Sequence, residues 1–291
     1  MAIAREVLFR LATSPRFERA VRAVPGGERV AWRAASRYVA GTDPADAFRV
    51  TGRLAADGVA TSVDQFGEHV DDPVTADAVA VSYVRLAEEL AGQPASVWLA
   101  VDLSHLGLDV DARRCADHLA AVAAALPPGR RIQVGAEDST RTDAVLASVL
   151  DVAGRGLADR LGATVQANLH RSPADADRLV AAGVQIRLVK GAYVEPTGAY
   201  PHGEPTGIAF VRLAHRLAAA GADFSLATHD GVLREALLAA LGPRPVEQLF
   251  GVRPDVPAEL VARGVPVRVY VPFGENWFRY WMRRVAESRG A

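Results

Sequence analysis

The sequence predicts a (β/α)8 barrel of the TIM type over residues 58–291, preceded by an N-terminal helical extension over 1–57. Three observations predict it. From Val59 onward, short β-branched runs alternate with helical stretches, and eight such units follow one another at a spacing of roughly 25–40 residues. The chain has 291 residues, half of them hydrophobic and 23% charged, enough to bury one large core. No Gly-x-Gly-x-x-Gly follows any strand, which leaves a doubly wound open sheet as the runner-up.

Residues 2 to 57 read as helical, with breaks at Ser14-Pro15, Pro25-Gly26-Gly27 and Gly41-Thr42-Asp43-Pro44. Asp43 with Pro44 opens a helix and Gly58 closes it. Val59–Asp64 is the first strand, followed by a helix over 75–91. Ser96–Leu103 is the second, with a helix over 111–126 stopped by Pro127-Pro128. Arg131–Ala136 leads to a helix over 139–158, and Ala163–Ala167 to one opened by Ser172-Pro173. Val184–Val189 is the fifth strand, after which a longer loop reaches a helix that ends at Gly221. Asp223–Thr228, Val246–Phe250 and Val265–Val271 complete the set, and a last helix covers 275–287.

Formal net charge is −1, from 33 basic and 34 acidic residues, so no nucleic-acid or acidic-surface partner is expected. Cys115 stands alone, which excludes an internal disulfide and fits a reducing cytoplasm. The first twenty residues are amphipathic and arginine-bearing but lack a signal peptide's apolar region and cleavage site. No apolar run would cross a bilayer, and peripheral membrane contact through an amphipathic helix stays open.

The fifth strand carries a charge inside it. Alternation puts Gln185, Arg187 and Val189 on one face and Ile186 and Leu188 on the other. A guanidinium there needs a polar receiver, and a core carboxylate is the plain choice. The strand ends on Lys190-Gly191-Ala192-Tyr193, and Lys190 is the sole lysine of the chain. Barrels place reactive groups at the C-terminal ends of their strands. Those ends supply Asp64 with Glu68, Asp102, Glu137 with Asp138, Gln166, Arg187 with Lys190, Thr228 with His229, then Gly251 and Tyr270. None of the seven histidines pairs at ligand spacing on one strand, so no metal site is expected. Lys190 could form a Schiff base in an aldolase-like barrel, a reading that leaves Arg187 unexplained. On the last helix, Tyr280, Arg283, Arg284 and Glu287 fall within two turns, among Trp277, Phe278 and Trp281. A surface ion pair between Arg284 and Glu287 would explain the charges alone, yet the aromatic surroundings suit open solvent poorly. An arginine fork beside a tyrosine ring suits a small carboxylate with an apolar body.

Arg187-Leu-Val-Lys-Gly-Ala-Tyr193 and Tyr280-x-x-Arg-Arg-x-x-Glu287 resemble the two signature motifs of the proline dehydrogenase family. Arg37-Tyr-Val-Ala-Gly41, Ser62-Val-Asp-Gln-Phe-Gly-Glu68, Gln166-Ala-Asn-Leu-His-Arg171, Thr228-His229 and Val269-Tyr-Val-Pro-Phe-Gly274 resemble further family motifs in the right order. The resemblance implies an FAD-dependent (β/α)8 barrel that oxidises L-proline, or a related cyclic secondary amine, to Δ1-pyrroline-5-carboxylate or its analogue. It implies Arg187 near flavin N5, with Gln166, Lys190, Thr228 and His229 and the backbone of Val189, Gly191 and Ala192 holding the rest of FAD. Arg283 and Arg284 would clamp the substrate carboxylate, Tyr280 and Tyr270 would wall its ring, and Glu68 would pair with one of those arginines in the empty site. Family analogy gives a quinone or another carrier as the electron acceptor.

Two positions depart most from the family pattern, and Asn168 and the loop Pro201–Gly207 differ more mildly. Val101-Asp102-Leu103-Ser104 has aspartate where the family has a carboxylate-binding lysine. Gly135-Ala136-Glu137 has glycine where the family has aspartate. Unit charges about 4 Å apart at an effective dielectric of about 20 interact by roughly 4 kcal/mol, so one reversed sign matters. Three readings follow: Asp102 pairs with Arg283 or Arg284 and the proline site is weaker; the substrate is another amine, with a masked carboxylate or an added cation; or the chain is a catalytically weakened flavin- or ligand-binding homologue. The survival of Arg187, Lys190, Tyr280, Arg283 and Arg284 ranks altered or weakened amine oxidation above loss of activity.

Overall fold

The computed structural model describes the backbone of residues 15–288 and the side chains of residues 17–285. Residues 1–14 of the amphipathic N-terminal stretch, and the Glu287 side chain with its expected partnership to Arg284, lie outside them. Three helices come first: α1 (Pro15–Ala23), α2 (Gly27–Ala35) and α3 (Pro44–Ala56). The start of α3 is built as its residues dictate. Asp43 accepts from the Asp46 amide at 2.9 Å and Pro44 takes the first position, where no amide hydrogen is needed.

Eight strands then alternate with helices: β1 (Ala60–Gln65), α4 (Pro73–Glu89), β2 (Val97–Val101), α5 (Ala112–Ala125), β3 (Ile132–Val134), α6 (Thr142–Val152), β4 (Leu161–Gln166), α7 (Ser172–Ala181), β5 (Gln185–Val189), α8 (Glu204–Ala219), β6 (Phe224–Ala227), α9 (Gly231–Leu241), β7 (Val246–Leu249), α10 (Asp255–Ala262), β8 (Val267–Phe273) and α11 (Trp277–Ser288). All neighbours are parallel and β8 closes on β1, with Ser62 opposite Tyr270, so the sheet is a closed barrel rather than an open one. Each strand lies within about two residues of its expected place. The helix expected over 139–158 breaks after Val152, because Gly156 takes φ +87° there.

The core lies between strands and helices. Val63, Leu99, Val101, Ile132, Val134, Ile186, Leu188, Leu226 and Val246 are buried in one cluster with helix residues such as Leu86, Leu119, Val149 and Phe210. The inward faces differ from the branched aliphatic filling usual for this fold. Gln133 and Gln185 meet over side-chain-free Gly162, and Ser62, Arg187, Ser225 and Glu247 are all buried and hydrogen-bonded across the barrel. A second apolar cluster clasps α11 from outside. Ala31, Ala35 and Val39 of the N-terminal helices and the segment after them pack with Trp277, Phe278, Tyr280 and Met282, and Trp32 meets Trp277 edge-on at 5.0 Å. That clasp turns the aromatic side of α11 away from solvent and holds it over the C-terminal ends of β1 and β8.

Candidate active site

A cavity of about 290 Å³ opens at the C-terminal end of the barrel, between β1, β2, β8 and α11. Phe66, Tyr270 and Tyr280 give it an aromatic wall, with Tyr280 ring centroids 5.0 Å from Phe66 and 6.2 Å from Tyr270. Asp64, at the end of β1, accepts from Tyr270 Oη at 2.5 Å and from Tyr83 Oη at 2.9 Å. Burial pushes its pKa up to about 6, against the pull of both phenols and of the Arg187 charge. Glu68 and Arg283 face each other across the mouth at 3.3 Å, a long and partly exposed pair. Asp102 also lines the cavity, makes no hydrogen bond or ion pair among the described residues, and is pushed well above the usual carboxylate range by burial and by Asp64, Glu137 and Glu68. The pairing of Asp102 with Arg283 or Arg284, one of the three readings of this departure, is therefore not formed among the described residues.

Arg283 and Arg284 are placed differently in the ligand-free chain. Successive helical residues point about 100° apart. Arg283 lines the cavity, whereas the Arg284 guanidinium lies over the Tyr280 ring at 5.0 Å and its charge acts on His229. Of the residues expected to meet substrate, the cavity thus gathers Glu68, Asp102, Tyr270, Tyr280 and Arg283 and leaves Arg284 behind Tyr280.

A second set of polar groups lines the ends of β4 to β7. Arg187 Nε donates to Glu247 Oε2 at 2.6 Å and its Nη2 to Ser62 Oγ at 3.3 Å, so the charge inside the strand is received by a buried carboxylate. Its Nη1 makes no hydrogen bond among the described residues. Gln166 Nε2 donates to the Glu137 carbonyl at 2.8 Å, and Val189 accepts from the Ala167 amide at 2.8 Å. Lys190 Nζ pairs with Asp230 at 2.7 Å and is one-third exposed. This amine is engaged and partly solvated, without the apolar enclosure a Schiff-base lysine draws on, which counts against the aldolase-like alternative. Thr228 is buried, with its Oγ1 accepting from the Asp230 amide at 3.1 Å.

Part of this set keeps unused capacity. His229 Nε2 accepts from the Leu249 amide at 3.2 Å, so its proton sits on Nδ1, which is buried and has no partner. Burial first, then Arg284, lowers its pKa to about 4, so the ring stays neutral. Asn168 Oδ1 is likewise buried and unpartnered, pressed against Gly191, where φ is +107° and a Cβ would collide with the carboxamide. Ala192, next in line, is exposed.

Residues outside the expected set carry much of this geometry: Glu247, Tyr83, Asp230, and Arg279 and Glu18 at the cavity rim. Asp230 was legible as a helix cap directly after His229, and it accepts from the Val232 and Leu233 amides at 3.1 Å. Glu247 offered one signal, a charge within a buried strand, like Arg187 itself.

The sequence profile of the family described as proline dehydrogenase matches residues 47–291. A proline dehydrogenase of Deinococcus radiodurans is 33% identical over 275 residues, covering 88% of this chain and 87% of its own length. Proline dehydrogenase 1 of Bacillus subtilis is 30% identical over 262 residues, covering 87% and 86%. Among solved structures, proline utilization A (PutA) from Bdellovibrio bacteriovorus, inactivated by N-propargylglycine, superposes with a TM-score of 0.83 at 18% identity over 98% of this chain. A Bradyrhizobium japonicum PutA mutant, D778Y, gives 0.71 at 20% identity over 91%. The chain spans 36% and 32% of those two solved chains, and the likeness to them is one of fold.

Proposed function

This chain belongs to the proline dehydrogenase family, and from that premise we propose that it oxidises L-proline, or a related cyclic secondary amine, with FAD as its cofactor. The oxidation breaks a C–H bond next to the ring nitrogen, its electron pair leaving as hydride, and releases the N–H proton, so that a C=N bond forms. From proline the product is Δ1-pyrroline-5-carboxylate. FAD supplies the two-electron acceptor when bound.

The observation that carries the reading is the meeting of two half-sites at one barrel mouth. Arg187 joins them: it sits on β5 beside the cofactor set, reaches Ser62 on β1, and its charge acts on Asp64 in the cavity wall. The residues present fit a flavin nucleotide. Asn168 Oδ1 is an idle acceptor and His229 Nδ1–H an idle donor, and the missing side chain at Gly191 gives the Asn168 carboxamide its room. Gln166, Val189, Lys190, Ala192 and Thr228 complete the proposed cofactor set. Arg187 presents positive charge where negative charge would accumulate. On the substrate side, Phe66, Tyr270 and Tyr280 exclude water around an apolar ring, and Arg284 braces Tyr280 from behind. Arg283 can meet a carboxylate once its long contact with Glu68 opens. An electron acceptor must restore the cofactor; a quinone is our proposal, and it would bring a cytoplasmic protein to the membrane surface. No helix among the described residues is long and apolar enough to cross a membrane.

Purified protein should be yellow, release FAD on denaturation, and bleach anaerobically with proline or another cyclic secondary amine. Colourless protein that FAD cannot reconstitute would remove the reading, and borohydride trapping of a carbonyl compound on Lys190 would then test the Schiff-base chemistry. A loaded protein that no amine bleaches would be a binding homologue.

A further inference from the structure

The charges around the cavity do not balance. Its walls hold four carboxylates, Glu18, Asp64, Glu68 and Asp102, against two guanidiniums, Arg279 and Arg283. Glu18 is answered by Arg22 at 3.1 Å and by Arg279 at 3.8 Å, and Glu68 by Arg283 at 3.3 Å. Asp64 has its two phenol donors. Asp102 has neither a donor nor a cation within ion-pair distance among the described residues, although it borders open volume. Its seat is shaped for it, since Asp102 Oδ1 occupies the space that a side chain at Gly135 would fill. Burial and its acidic neighbours favour the protonated form of this carboxyl while the cavity is empty, and an arriving cation favours the ionised form, so the unpartnered group can receive positive charge.

We propose that Asp102 receives the positive charge of the substrate, so that this cavity selects cyclic secondary amines of net positive charge, lacking a free carboxylate, over zwitterionic amino acids such as proline. The inference rests on the amine-oxidation reading and narrows its substrate class. A zwitterion must place its carboxylate among these acidic groups, with Arg283 already shared with Glu68 as its receiver. A cationic amine brings no such charge and supplies the partner Asp102 lacks.

The test uses the FAD-loaded full chain and matched ligands. Anaerobic bleaching is followed with L-prolinamide, pyrrolidine and L-proline, and binding is read separately from the thermal shift given by cyclopentylamine and by cyclopentanecarboxylate, which differ in the sign of one charge. Wild-type protein should favour prolinamide over proline by about tenfold or more in bleaching rate over Kd. Asp102→Asn should move the two substrates in opposite directions and compress that ratio about tenfold. It should also abolish the shift with cyclopentylamine while strengthening that with the carboxylate. Equal responses of both substrates in the variant, or a wild-type preference for proline, would overturn the charge-receiver role and leave amine oxidation intact. Bleaching by none of the three amines would remove amine oxidation itself, and the inference with it.

Discussion

Removing Glu247 alone should cost more stability than removing Glu247 and Arg187 together. The two side chains are 4% and 10% exposed and meet at 2.6 Å inside the barrel, where Glu247 also accepts from Ser225 Oγ at 2.6 Å. Breaking a buried ion pair by removing one partner costs about 3–5 kcal/mol, because the remaining charge is left without compensation. In Glu247→Leu, Arg187 would keep the long 3.3 Å contact to Ser62 and the field of Asp64, so the lower end, about 3 kcal/mol, is expected. Arg187→Met should cost a similar amount, since Glu247 would keep only its serine donor. The double variant exchanges the pair for apolar side chains of similar volume and should lose no more than about 1 kcal/mol. Urea denaturation of the four proteins, each in its apo form, gives a coupling energy, and about 3 kcal/mol or more is expected. If the two single losses instead sum to the double within about 0.5 kcal/mol, the barrel interior does not depend on this pair. The stable double variant should still fail to bleach with amines, which would separate the proposed role of Arg187 toward the cofactor from its role in the fold.

Two further predictions follow from the cavity wall. The Asp64 carboxyl titrates near 6 in the fold against 3.8 as its ordinary value, so the folded chain keeps a proton that the unfolded chain releases, and stability falls as pH rises between those values. The gap of about 2 pH units is worth about 3 kcal/mol, so in urea denaturation Asp64→Asn should gain that much on the wild type between pH 4 and pH 7, whereas a pH-independent difference would sink the assignment. Gly135→Ala should destabilise by about 1 kcal/mol, since the Asp102 carboxyl must swing aside, and in an Asp102→Ala background the same change should be neutral or stabilising in thermal melts; an unchanged sign would show that the two positions do not share space.

The barrel was legible because its signals are local. Each strand is a β-branched run bounded by turn residues, and caps such as Asp43 and Asp230 mark where helices begin. What was not legible depends on which inward-facing residue lies across the barrel axis. Arg187 announced its need for a carboxylate, but Glu247 lies 60 positions away and is chosen by the register of β5, β6 and β7. The same limit hid Tyr83, which reaches Asp64 from α4. The aromatic burial of the last helix was legible, but which guanidinium lines the cavity was not: Arg283 lines it, whereas Arg284 lies over the Tyr280 ring.

The departures at Asp102 and Gly135 look independent in the sequence, one a reversal of charge and the other a loss of it. In three dimensions the two positions share space, because Asp102 Oδ1 lies where a Gly135 side chain would be. An aspartate retained at 135 would have met the new carboxylate at collision distance and added a further negative charge beside Asp64, Glu68 and Glu137. Losing the side chain at 135 removes both the overlap and the repulsion, and it lets the carboxylate at 102 remain on the cavity wall. The neighbouring groups are all paired: Tyr270 and Tyr83 donate to Asp64, Arg283 faces Glu68, and Arg187 is held by Glu247.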